Sequence, residues 1–151
     1  MLNAVAHPPG SGTLSWLVER FVHTTRGARH ALAVAADGRP LGVSTGTDPT
    51  TVTWLAELVT KAAGLTGSAA AWTSGEPVVS CLLTNNGGLL LVVPIPGGGN
   101  LAVVADANAD AGQVGYEATL AAGHLGEAVT AAAAHAAASA TDDATAEAGG
   151  A

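Results

Sequence analysis

The segment from Pro49 to Ala71 carries two apolar stripes, where a helix packed on one sheet needs only one. Asp48 can cap its first amides, and Pro49 suits the first helical position. Val52, Leu55, Ala56, Val59, Ala62 and Ala63 form one stripe. Trp54, Leu58, Leu65, Ala69 and Trp72 form the other, at steps of four, seven, four and three. At about 100° per residue the two stripes lie on different sides of the helix. One should face the domain's own sheet. The other, carrying two tryptophans, needs something else to cover it.

The flanking segments supply the sheet and two more helices. Thr13–Arg26 reads as a helix with Thr13 as cap, Leu14, Leu17, Val18, Phe21 and Val22 as its apolar face, and Gly27 at its end. Arg29–Ala36 and Pro40–Ser44 read as strands joined by the hairpin pair Asp37-Gly38. Glu76–Thr84, Leu89–Pro94 and Leu101–Asp106 read as three more, linked by Asn85-Asn86-Gly87-Gly88 and by the turn Pro96–Asn100, so an antiparallel meander is expected. A last helix begins near Asp110, presents Val114, Ala118, Ala121, Leu125 and Val129 to the core, and fades at about Ala138. The order helix, two strands, helix, three strands, helix predicts an α+β domain. Its five-stranded antiparallel sheet is covered by helices on both faces.

With 151 residues the chain is one domain's worth. We expect residues 1–12 to be a flexible leader, 13–138 the domain, and 139–151 a disordered tail, because the tail has acids and glycine but no large apolar side chain. A net charge of −7, with Lys61 as the sole lysine, disfavours nucleic acid and anionic membrane surfaces. No apolar run reaches the roughly 18 residues of a membrane span, and no secretory leader is visible, so a cytoplasmic protein is expected. Cys81 is the only cysteine, which excludes an internal disulfide and a cysteine-based zinc site. It sits in the apolar run Val78–Leu83 and reads as a small buried hydrophobe.

Catalytic chemistry is hard to place. His7, His23, His30, His124 and His135 include no pair at metal-ligand spacing. His23 and His30 read as helix-end and strand-start residues, and His124 as a packing or partner residue. Gly97-Gly98-Gly99 joins two strands rather than leading into a helix, so it reads as a turn and not as a phosphate cradle. Asp106, Asn108 and Asp110 resemble the start of a calcium loop. The sixth place is Ala111 where that loop needs glycine, so a polar connection with Asp110 as cap is the better reading. No cofactor and no metal are expected.

Three stretches together carry a resemblance. They are Leu14-Ser15-Trp16-Leu17 with Phe21-Val22; Gly27-Ala28-Arg29-His30-Ala31-Leu32 leading to Ala36-Asp37-Gly38; and Leu101–Asp106 through Asp110, Val114, Gly115, Tyr116 and Glu117. Over roughly Gly12 to Val129 the chain resembles the roadblock / dynein light-chain family in its actinobacterial form. Gly64, Gly67 and Trp72 depart from that family's middle region.

The resemblance implies a roadblock/profilin-like sandwich, with the long middle helix on one face and the other two helices opposite. It implies homodimers built from the middle helices and third strands. It also implies partnership with a small Ras-like GTPase, in a bacterial signalling switch that can include a sensor-kinase-like protein. The chain would then be a non-catalytic regulator or scaffold, with any GTPase-activating effect exerted on the partner. The expected dimer or partner interface comprises Trp54, Leu58, Lys61, Leu65, Trp72, Val78, Ser80 and Leu82, with Glu57 orienting the partner by charge. The alternatives are a small-molecule-sensing domain of the same fold, which needs a pocket with convergent polar groups, and a small hydrolase.

Overall fold

A computed structural model of the chain describes residues 11–69 and 81–150. Trp72, Val78 and Ser80 lie outside them, as does the leader up to Gly10. The elements run α1 (Ser11–Thr24), β1 (Ala28–Val34), β2 (Pro40–Val43), α2 (Pro49–Ala69), β3 (Cys81–Asn85), β4 (Gly88–Pro94), β5 (Asn100–Ala105) and α3 (Ala111–Gly150). The five strands form one sheet in the order β2-β1-β5-β4-β3, and every neighbouring pair is antiparallel.

Local chemistry explains the turns. Gly38 adopts φ +93° and donates its amide to the Ala35 carbonyl at 2.9 Å, closing the β1–β2 hairpin. Between β4 and β5, Gly97, Gly98 and Gly99 all have positive φ, a conformation open to glycine at little cost. The Ile95 amide bonds the Gly99 carbonyl across this turn at 2.9 Å.

The pleat sends alternate side chains to two separate cores. Ala31, Ala33, Leu89, Leu91, Val93, Leu101 and Val103 pack beneath Leu14, Val18 and Phe21 of α1 and Val114, Ala118, Ala122 and Leu125 of α3. On the opposite face Leu32, Val34, Val92 and Ala102 meet Leu55, Ala56, Val59 and Ala62 of α2. The stripe headed by Val52 and Leu55 is therefore the one that faces the sheet.

Some expected boundaries shift. α1 begins at Ser11, so Thr13 lies inside its first turn and is not the cap; Ser11 and Gly12 tolerate such a start. It ends at Thr24, where the Thr24 hydroxyl turns back to the Arg20 carbonyl at 2.9 Å. α3 does not stop near Ala138 but runs as helix to Gly150. Its alanine-rich sequence loses almost no side-chain entropy in a helix, and this outweighs the lack of large apolar residues.

The two edges of the sheet differ. At β2, α1 passes so close that a Cβ on Gly42 would stand 2.8 Å from the Leu14 carbonyl carbon. Ser15 Oγ accepts the Val43 amide at 3.3 Å, and Glu19 Oε2 accepts the Thr45 amide at 2.8 Å. At the other edge, β4 is the only described strand that pairs with β3, and Leu82 and Leu83 are exposed.

Candidate functional site

The entry to α2 is anchored before its outer surface is formed. Asp48 Oδ1 accepts the Thr51 amide at 2.7 Å, as a helix cap should. That backbone hydrogen bond is the main reason the Asp48 carboxyl is held below its ordinary range. Ser44, buried just after β2, accepts the Ala31 amide through Oγ at 3.0 Å. Its hydroxyl also meets Thr47 Oγ1 at 3.1 Å, and His30 Nδ1 lies 3.0 Å from the same Thr47 oxygen. This chain of polar groups ties β1 and β2 to the start of α2.

So anchored, α2 buries Leu55 and Val59 and leaves Trp54 and Leu65 of its second stripe exposed. Trp54 is 60% exposed and Leu65 69%, while Leu58 is half-buried. Beside them runs an apolar groove of about 380 Å³ between α2 and the β3–β4 hairpin, lined by Trp54, Leu58, Leu83, Leu90 and Val104 among others. Trp54 and Leu58 thus share a groove with the β3–β4 hairpin, and Leu65 lies further along the same side of α2.

Register decides which β3 residues share that surface. Cys81 pairs with Val92 and Leu83 with Leu90, and these partners lie on the α2 side. Leu82 pairs with Leu91, which belongs to the core beneath α1 and α3. Directly paired residues share a face. Leu82, grouped with Trp54 in the sequence reading, therefore lies on the opposite face of the sheet. Leu83, which that reading passed over, is the residue that lines the groove with Trp54. The alternation of the strand was readable, but its phase relative to α2 was not.

Glu57 and Lys61 are exposed on the other flank of α2. With Thr53, Thr60, Asp37 and Pro40 they line a second open groove of about 580 Å³ against the β1–β2 hairpin. Asp37 is locked in its turn by the Arg39 amide at 3.1 Å and Arg39 Nε at 2.8 Å. The backbone hydrogen bond from Arg39 is the first cause that lowers its carboxyl below the usual range. The charged residues therefore flank the apolar stripe on the side away from β3.

Asp106 and Asp110 have structural partners. Asp106 Oδ1 faces Arg29 Nε at 3.5 Å, and Asp110 Oδ1 accepts the Gln113 amide at 3.1 Å as the cap of α3. His124 lines a shallow groove between α1 and α3 with Leu17, Arg20, Phe21, Glu117 and Leu120. Nearby, the Arg20 guanidinium lies 5.5 Å from the centroid of the Trp16 ring. Among the described residues, no three His, Cys, Asp or Glu side chains converge on a metal position, and no helix is long and apolar enough to cross a membrane.

No protein-family model and no curated protein matches the chain by sequence. Solved structures do match it. A Roadblock/LC7 domain from Streptomyces avermitilis is 26% identical, with a TM-score of 0.71, over 77% of this chain and 97% of that one. An MglB in a tetrameric arrangement is 23% identical with a TM-score of 0.71, over 80% and 90% of the two chains. Myxococcus xanthus MglB is 16% identical with a TM-score of 0.70, over 79% and 96%.

A five-stranded antiparallel sheet with one helix on one face and two on the other defines a small α+β sandwich. The chain shares its fold with the roadblock/LC7 domain from Streptomyces avermitilis, and the solved structures support the roadblock resemblance read from the sequence. The Streptomyces source of that domain is consistent with the actinobacterial form that the sequence resembles.

Proposed function

We propose that this chain is a non-catalytic homodimeric regulator or scaffold of a small Ras-like GTPase in a cytoplasmic bacterial signalling switch. The observation that carries the reading is the exposure of Trp54 and Leu65 on α2, with Trp54 and Leu58 sharing a groove with the β3–β4 hairpin. A single sheet face cannot cover both stripes of α2. A second copy, joined through α2 and β3, would cover the stripe and extend the sheet at the same time. Full burial of Trp54 in such an interface would contribute about 2–4 kcal/mol. The tetrameric arrangement of one MglB supports self-association in this fold.

The GTPase follows from family resemblance together with the chemistry of the surface. The chain has no Gly-Lys-Ser/Thr phosphate loop, so nucleotide chemistry would reside in the partner. Two α2 helices side by side form a broad platform, and Glu57 and Lys61 on its flanks set the approach of a charged partner.

The test is titration of the cognate GTPase, loaded with GDP or GTP, against wild type and a Glu57→Lys, Lys61→Glu variant that still dimerises. Wild type should bind at least one nucleotide state, and the variant should bind about tenfold more weakly. Absence of wild-type binding in both states sinks the reading. Unchanged binding by the variant moves the GTPase surface elsewhere on the dimer.

A further inference from the structure

A five-stranded open sheet has two edges, and strand addition at either can join chains. In this structure α1 overhangs one of them. Ser15 and Glu19 are one helical turn apart, and they reach the amides of Val43 and Thr45, two residues apart at and just after the end of β2. The spacings match: one turn advances about 6 Å along the helix, and two strand residues advance about 6.7 Å. The other Glu19 oxygen, Oε1, lies 3.6 Å from His23 Nε2 while Oε2 takes the Thr45 amide. An added strand would have to lie about 4.8 Å from β2, in the space these two side chains fill, and would have to compete for the same amides.

We propose that Ser15 and Glu19 close the β2 edge to strand addition, leaving β3 as the edge through which the sheet of described strands can be extended. Joining β2 of one copy to β3 of the next would be head-to-tail and open-ended, whereas β3 meeting β3 about a two-fold axis closes on itself. The caps would therefore stop assembly at a closed pair. That last step rests on the dimer proposed above; the closure of β2 does not.

The test compares wild type, Ser15→Ala/Glu19→Ala and Glu19→Gln by multi-angle light scattering across the micromolar range. Amide hydrogen exchange is followed at Val43 and Thr45. Wild type should hold one mass. The double variant should show a mass that climbs with concentration to at least about twice the wild-type value, with both amides exchanging about tenfold faster when it is dilute. Glu19→Gln keeps an acceptor oxygen and should behave as wild type. If the double variant does not fold, Glu19→Ala alone should speed exchange at Thr45 and not at the core amides of β5. A folded double variant with wild-type mass at every concentration overturns the proposal, as does a wild-type Thr45 amide that exchanges as fast as an exposed loop amide. A monomeric wild type alongside a climbing double variant would instead remove the dimer and leave the β2 cap standing.

Discussion

Trp54 on α2 and Leu83 on β3 line the same groove, and both are substantially exposed although each lies beside a buried core. Large side chains left so at a groove bordering an open strand edge are where an interface draws most of its energy. Trp54→Ala should weaken the proposed dimer by about 2 kcal/mol or more, roughly thirtyfold in dissociation constant, with the far-ultraviolet circular dichroism unchanged. Sedimentation velocity across a dilution series measures this. Unchanged affinity would place the interface away from the groove.

The neighbour of Trp54 should behave in the opposite way. Leu55 is 1% exposed and packs against the sheet. Leu55→Ala removes buried methyl groups and leaves a cavity, so it should cost about 2–4 kcal/mol of folding stability, read from urea unfolding. A cost well under 1 kcal/mol would contradict the packing of α2 described above.

The cap of α2 predicts a pH dependence. Asp48 has its carboxyl lowered because the ionised form accepts the Thr51 amide. Its contribution is fully present above the ordinary carboxylate range and is lost as pH falls through the depressed folded value. Asp48→Ala should therefore lower Tm by a few degrees at neutral pH, and the gap should close well below about pH 4. Melting curves of the two proteins from neutral to acid pH give the comparison, and a constant gap would rule the cap out as its cause.

Shortening α3 should leave the fold intact. Among the residues up to Ala138 its last fully buried side chain is Leu125, with Val129 partly buried, and from Ala133 to Ala138 every residue is exposed. A chain ending at Ala138 should keep wild-type stability to within about 1 kcal/mol in urea unfolding. A larger loss would show that the helix beyond Ala138 packs on something.

Much of this architecture was legible in particular residues. Asp48-Pro49 opens α2, Asp37-Gly38 and the three consecutive glycines turn the chain between strands, and Asp110 caps α3. Each of these signals acts over four residues or fewer, so the sequence displays it directly. The helix α3 extends past Ala138 to Gly150 because alanine favours helix even where no large apolar side chain marks a buried face.

The sequence by itself determined the type and order of the elements and the presence of two stripes on α2, because helical and strand periodicities are written into a single segment. Only the tertiary structure decided that Leu55 rather than Trp54 meets the sheet, and that Leu83 rather than Leu82 shares the groove of Trp54. It also decided that Ser15 and Glu19 reach across to the end of β2. The physical reason is that side chains alternate along a strand, so a shift of one residue in pairing exchanges its two faces. That register and the crossing of a helix over a sheet depend on contacts between residues tens of positions apart, such as Glu19 with Thr45 and Leu55 with Val92 in one core.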